Sequence, residues 1–466
     1  MSGDFPTTEQ WLIEGSDARI ALNPVTGKNK YGCAPQPNKK IAAFGSATAS
    51  TISETAFLAA DQLRNRLVHL LTLDSAEAIY ADEMHRVGKE LIEVCELSHL
   101  HELDIIFAAS GTDCHSIAAQ LAIASQAQTV RMLMVDETET GSGVPNALAG
   151  ERVAIPLRLV DGTPRAIADI DADFEQQVAA AVAAEQRVLL TMVDVSKTGL
   201  IAPSVACAVS LSQRFPEVLE VLVDACQFRI APSTLAAYLV HGFMVAMTGS
   251  KFMGGPSFSG ALMIPAVLAK KYRTRALSQG FLTFSNQAEW LVNWSEARQL
   301  SNAANFGLLL RWQAALKEMR EFHSVSNTVA RHFLFAIAEA VTQRLVNDPH
   351  LELLAVPTLQ REPFVDDLSW DNVQTIFPFV LRHAEKTFFS RDETLQVYRI
   401  LQNEGVQLAQ PVDCGEREGV AVSALRLCVS SRLVVEAMQG NGKNEQAVIQ
   451  RALEALNQVV RVAQKP

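Results

Sequence analysis

Three polar turns in this 466-residue chain each follow an apolar run, and each holds side chains able to do chemistry. Thr248-Gly249-Ser250-Lys251 follows FMVAM. A lysine set there among apolar neighbours suits an amine nucleophile with a depressed pKa, although a surface lysine on a turn would look the same locally. Asp224-Ala225-Cys226-Gln227 follows LEVLV. An aspartate closing an apolar strand can hold a heterocyclic nitrogen protonated, so that the ring draws electrons; metal and ribose sites also place an aspartate there. Ser110-Gly111-Thr112-Asp113 follows LDIIFAA. Its small residues allow close approach, and N–H groups with hydroxyls at a helix N-terminus bind phosphate. The same four residues are an equally good N-cap sequence.

The elements that must position these turns form a strand–loop–helix rhythm. LDIIFAA (103–109), VRMLMV (130–135), VAIPLRLV (153–160), VLLTMVDV (188–195), LEVLVDA (219–225), FMVAMTG (243–249) and FSGALMIP (258–265) read as strands. Helices are expected over CHSIAAQLAIASQ, over DFEQQVAAAVAAEQ and from near Pro203. Near-continuous apolar strands alternating with helices indicate an α/β fold with a mostly parallel sheet covered on both faces. Ligands of such sheets sit at the carboxyl ends of strands, where the three turns fall.

The first 55 or so residues are rich in Pro, Gly, Asn, Ser and Thr and read as an extended arm of turns. From Thr55 to about Leu97 the spacing predicts two helices parted near Asp74–Ser75. After about Glu318 the pattern changes to a helix (324–345), ELLAVP, IFPFVL, a helix (391–403), SALRLCVSS and a terminal helix (444–463), a smaller α+β domain. The expected division is an arm over 1–55, a large domain over 56–317 whose first helices could join either domain, and a small domain over 318–466.

Composition narrows the function classes. A hydrophobic content of 48% with 20% charged residues is that of a globular protein with a sizeable core. The net charge of −11 argues against a nucleic-acid or anionic-membrane surface. Seven scattered cysteines without a CxxC pair argue against a disulfide framework or zinc site. With no signal-peptide pattern and no apolar run of about 18 residues, a cytoplasmic protein is expected.

In order and spacing, SGTD (110–113), VDACQ (223–227) and TGSKFMGGPSFSGAL (248–262) resemble the fold-type I pyridoxal-phosphate (PLP) enzymes. The likeness is to the class V aminotransferase group, which includes cysteine desulfurases and kynureninases, and it runs over roughly residues 40–435. The resemblance implies a seven-stranded, mainly parallel sheet in the large domain, an amino-acid substrate, and a homodimer with shared active sites. It implies that Lys251 forms the internal aldimine and shuttles the Cα proton, that Asp224 pairs with the ring nitrogen, and that Gln227 bonds the phenolic oxygen. Gly111, Thr112, Thr248 and Ser250 would bind the phosphate, with Ser110 adding a contact. Ser196, in VSKTGL, stands where the family often has an Asn near the phenolic oxygen. Asn302 and Asn305 lie where a neighbouring subunit often reaches the phosphate. Arg426 best matches the arginine that forks onto the substrate α-carboxylate, with Arg432 the alternative, and Gly45–Ser50 matches the stretch on the substrate side.

One departure stands out. Relatives supply a histidine or aromatic ring that stacks on the cofactor, and the corresponding loop here, Asp136–Gly143, has none. Cys414 lies near where one desulfurase branch keeps its nucleophile, in surroundings that do not otherwise match; Cys114 and Cys226 read as packing residues. Cys114-His115 and His99-Leu100-His101 lack metal-ligand spacing and read as solvated or helix-end histidines. Neither a Walker loop nor an early G-x-G-x-x-G is present. Transamination is the first expectation and β- or γ-elimination by a lyase the second. A non-catalytic PLP-fold binding protein is the third, against which the Asp224–Lys251 pair argues.

Overall fold

The computed structural model describes residues 5–465 except 124–128, 149, 278–279, 282–284, 292–293, 365–367, 441 and 443. Strand β1 (Ala42–Phe44) belongs to the N-terminal arm. A larger sheet follows from β2 (Asp104–Ala108), β3 (Val130–Val135), β4 (Glu151–Ile155), β5 (Arg187–Asp194), β6 (Ile201–Ala202), β7 (Leu219–Ala225), β8 (Met244–Thr248) and β9 (Gly260–Ile264). Seven of these lie in the order β2-β9-β8-β7-β5-β3-β4, and β6 pairs with β5 to one side. Strand β9 is antiparallel to both neighbours, as β6 is to β5; the other pairings are parallel. Every residue of β2, β5, β7, β8 and β9 is buried, which is why these segments read as unbroken apolar runs.

The second sheet holds β10 (Leu351–Leu353), β11 (Ile376–Leu381), β12 (Val406–Arg417) and β13 (Val420–Cys428), in the order β1-β12-β13-β11-β10. The arm therefore differs from the run of turns expected. It contributes a short helix, Thr8–Leu12, closed by a capping box at Thr7, and it gives β1 to the second sheet as a parallel partner of β12. Strand β12 has no clear sequence signature because Pro411 interrupts it. The register shifts between Ala409 and Val412, so the missing N–H falls in an irregularity. Strand β4 stops at Ile155, short of the expected 160, where Pro156 can no longer donate to the ladder.

The helices of 54–70 and 76–94 start where serines offer an N-cap. Ser53 Oγ accepts from Ala56 N at 3.0 Å, and Ser75 Oγ accepts from Ala78 N at 3.2 Å. Both pack on the helix Phe306–His323, most of whose residues are buried, and the expected division at 317 and 318 falls inside that helix. At the junction of the two sheets Arg361 clasps Asp194 at the end of β5, with contacts of 2.6 and 2.7 Å, and the Tyr238 hydroxyl donates to the same carboxylate at 2.7 Å. This buried pair fixes the C-terminal half against the turn that leaves β5.

Candidate functional site

The three turns converge as the topology requires, because β2, β7 and β8 run parallel in effect and end on one edge of the sheet. They line a single cavity of about 460 Å³, together with the Glu137–Val144 loop, the arm at Arg19, Tyr31, Ala47 and Thr48, and β12 at Gln410–Asp413. Lys251, Asp224, Gln227, Ser110, Gly111, Thr112, Thr248, Ser250 and Arg426 all lie in that wall. Ser196 and Asn302 do not.

Lys251 opens a short 3-10 turn with φ of 57°, a left-handed conformation that costs a non-glycine residue free energy and persists only where the surroundings impose it. The surroundings here are specific. Ser50 Oγ donates to the Lys251 carbonyl at 2.9 Å, and Gly254 N donates to it at 3.1 Å. The arm thus holds the backbone that carries the amine.

Asp224 is buried at the end of β7 and accepts from Thr140 Oγ at 3.0 Å and from Cys226 N at 3.1 Å. Its Oδ2 lies 3.3 Å from Nε2 of His115, a histidine with no solvent exposure. His115 Nδ1 is 2.8 Å from the Gly111 carbonyl, an acceptor, so Nδ1 must carry hydrogen. A carboxylate 3.3 Å from its other nitrogen favours hydrogen there as well. Burial opposes that charge, and Asp224 outweighs it, raising the His115 pKa. Burial likewise opposes the Asp224 charge, but His115 and Lys251 reverse the effect and hold the carboxyl well below its usual range. The expectation that His115 is a solvated or helix-end histidine is therefore corrected: it is the partner of Asp224. His115, Asp224 and Cys226 present ligand atoms within 4.8 Å of one another, but burial and Asp224 push the Cys226 thiol well up, away from the thiolate a metal prefers.

One end of the cavity lies at the N-terminus of the helix Gly111–Ile123, a position suited to an anion. A Cβ on Gly111 would sit 2.5 Å from Cys226 Sγ, so glycine lets this turn approach the turn that follows β7. Ser110 Oγ donates to Asp113 at 2.8 Å and accepts from Asp113 N at 3.3 Å, which makes the turn a cap as well as a lining. Thr248 Oγ donates to the Cys226 carbonyl at 2.8 Å, and Ser250 Oγ donates to Thr248 at 3.2 Å. Arg19 reaches this end from the arm, with Nη2 3.2 Å from Ser110 Oγ and Nη1 3.5 Å from Thr112 Oγ, while also pairing with Asp17. A cation aimed at a helix N-terminus opposes the helix dipole unless an anion lies between them. Nothing in the sequence singled out Arg19.

Gln227 donates to the Ala47 carbonyl at 3.1 Å and leaves its buried Oε1 without a partner; Ser257 Oγ in the same wall is also unpartnered. Arg426 is buried on β13, with Nη1 2.9 Å from the Lys197 carbonyl and Nη2 within 3.1 Å of Thr48 Oγ and 2.5 Å of the Gln410 carbonyl; its Nε has no partner. The loop without a ring reaches Asp224 through the Thr140 hydroxyl and buries Glu139, which pairs with Arg158 at 2.9 Å.

Several expected residues lie elsewhere. Ser196 Oγ donates to Glu139 at 2.7 Å and accepts from Leu200 N at 3.0 Å, so this turn points its hydroxyl into the loop and not into the cavity. Asn302 is exposed, and Asn305 caps the helix Phe306–His323 by accepting from Leu308 N at 3.0 Å. Arg432 lies outside the cavity, where Nη1 donates to the Thr51 carbonyl at 2.8 Å. Cys414 is buried in β12 with its thiol toward the Val422 carbonyl, and burial pushes it up to about 11.

Neither a family model nor a curated protein sequence matches this chain. Solved structures do. A cysteine desulfurase, CsdA in its S-sulfonic acid form from Escherichia coli, is 15% identical with a TM-score of 0.57, covering 95% of this chain and 99% of that one. The cystine C-S lyase C-DES, in complex with its reaction product cysteine persulfide, is 15% identical with a TM-score of 0.57, covering 91% and 98%. A NifS-like protein from Rickettsia africae is 12% identical with a TM-score of 0.56, covering 90% and 99%. A C-DES mutant with glycine covalently linked to its PLP cofactor is also similar, at 14% identity and a TM-score of 0.58. At such identities the likeness establishes the fold, that of the fold-type I PLP enzymes.

Proposed function

We propose that this chain is a PLP-dependent enzyme acting on an amino acid, with Lys251 as the cofactor-bearing lysine and an elimination reaction ahead of transamination. The observation that carries the reading is Asp224, buried and held ionised by His115, in the same cavity wall as the left-handed Lys251. The residues present fit the cofactor. An ionised aspartate suits a pyridinium N–H, Gln227 has an orphaned amide oxygen in the wall, and the Ser110–Thr112 turn with Thr248, Ser250 and Arg19 suits a phosphate. When bound, PLP supplies an aldehyde that takes an amine and a protonated ring that draws electrons from the substrate's Cα.

The chain's own groups do the rest. Lys251 presents the amine and, once the substrate's amine has replaced it, is free to hold and move the Cα proton. Asp224 keeps the proton at the ring nitrogen, and His115 keeps Asp224 ionised. Arg426 orients the α-carboxylate from β13, and Thr140 fixes the carboxylate of Asp224 from the loop that lacks a ring.

Elimination ranks ahead of the transamination expected from sequence because the similar structures named for a reaction are a cysteine desulfurase and a C-S lyase. A desulfurase that stores sulfur on an exposed cysteine is disfavoured: all seven cysteines are buried. A non-catalytic binding protein would have no use for the strained Lys251. A cytoplasmic homodimer with shared sites completes the proposal; Asn302 is exposed, as a contact with a second copy requires, and among the described residues no helix is long and apolar enough to cross a membrane. Incubation with a panel of amino acids, with and without a keto acid, tests the reaction. Keto-acid-independent product release supports elimination, strict keto-acid dependence restores transamination, and no turnover together with no cofactor uptake overturns the enzyme reading.

A further inference from the structure

Beside Arg426, the cavity holds a second cation that the roles above leave unused. Lys197, in the turn after β5, lines the cavity and is half-buried, and Arg426 Nη1 donates to its backbone carbonyl at 2.9 Å. Its Nζ donates to the Glu137 carbonyl at 3.0 Å. Neither Lys197 nor Arg426 makes an ion pair among the described residues. The carboxylates of the wall are engaged elsewhere: Glu139 with Arg158 at 2.9 Å, Asp224 with His115 at 3.3 Å, and Asp413 with Arg391 at 3.3 Å. Glu137 is exposed and gives Lys197 only its backbone oxygen.

The two neighbouring cations share Glu139, which is already paired with Arg158, and Asp136 also faces Lys197, so positive charge crowds this partly desolvated wall. Burial and then Arg426 push Lys197 down to about 8, against the opposing pull of Glu139 and Asp136. A ligand carrying two negative charges would balance this pair. The cofactor phosphate does not meet this need, because its cradle is the Ser110–Thr112 turn, served by Arg19.

We propose that Lys197 is a specificity-determining residue that binds a second acidic group on the substrate, so that the enzyme takes amino acids with an acidic side chain. The proposal rests on the amino-acid-enzyme reading above. Arg426 takes the α-carboxylate, and Lys197 takes the side-chain acid.

Calorimetric titration of the PLP-saturated protein with succinate and with propionate tests this without any reaction. The expected result is that succinate binds roughly tenfold or more tightly than propionate, the value of one charge-assisted contact. Lys197→Met should remove that difference, while Lys197→Arg should keep it. Equal affinity of the wild-type protein for the two acids overturns the proposal, as does a Lys197→Met protein that still prefers succinate. The absorption of lysine-bound cofactor, read on the same samples, reports separately. Succinate selectivity without that band means that the cofactor reading has failed and the acid site stands.

Discussion

Replacing Arg19 with glutamine should weaken binding of PLP and leave binding of pyridoxal, its unphosphorylated form, unchanged. The guanidinium stands 3.2 Å from Ser110 Oγ and 3.5 Å from Thr112 Oγ, at a helix N-terminus where a phosphate would lie. A hydrogen bond to a charged group contributes about 1.5–3 kcal/mol. The Arg19 side chain is 24% exposed and already pairs with Asp17 at 2.5 Å, so part of its interaction with phosphate replaces an existing one. The lower end, about 1.5 kcal/mol, is the appropriate figure, or about tenfold in Kd. Equilibrium titration of apoprotein with each vitamer, followed by absorbance, measures both constants. A parallel loss for PLP and pyridoxal would mean that Arg19 only holds the arm, through its contacts with Asp17 and the Phe258 ring. No loss for either would remove Arg19 from the phosphate site.

The His115–Asp224 pair should make apoprotein stability depend on pH. Asp224, with its pKa lowered, contributes above the ordinary carboxylate value of about 4, and that part is lost as pH falls through the folded value. His115, with its pKa raised, contributes fully below about 6.5, and that part is lost as pH rises through the folded value. The gap between wild-type and His115→Ala melting temperatures should therefore be widest between about pH 4.5 and 6.5 and narrow as pH rises through the raised folded value of His115; a constant gap would contradict the pair. Arg361→Met leaves Asp194 buried without its cation and should cost about 3–5 kcal/mol in urea unfolding. A loss below about 1 kcal/mol would show that Tyr238 alone suffices. Cys414→Ala should retain turnover of any substrate found, since its thiol is buried in β12; abolished turnover with an intact fold would return it to the site.

The centre of the sheet was legible because strands buried on both faces, as β2, β5, β7, β8 and β9 are, have no choice but to be largely apolar along their length. Lys251, Asp224 and the SGTD turn were legible because each closes such a strand, and the strand order brings those ends together. Residues that reach the site from elsewhere carry no such mark. Arg19 lies in a polar arm where arginine is ordinary, and contacts far apart in sequence, such as Arg311 with the Glu14 carbonyl and Ser50 with the Lys251 carbonyl, place that arm beside the large sheet. His115 follows its turn by one helical step, and its partner comes from a distant strand, so local sequence could not separate it from a helix-end histidine. Ser196 was placed by family position, but the turn after β5 folds its hydroxyl back onto Glu139. Lys197, one residue on, takes the place in the cavity wall.

The central claim is that Lys251 carries PLP, and borohydride trapping tests it most directly. Protein reconstituted with PLP should show the absorption near 420 nm typical of lysine-bound cofactor, roughly as such imines generally give. After reduction and digestion, the phosphopyridoxyl group should lie on the peptide containing Lys251, and Lys251→Ala should show neither the band nor the label. Label on another lysine, or an unchanged band in Lys251→Ala, would contradict the account.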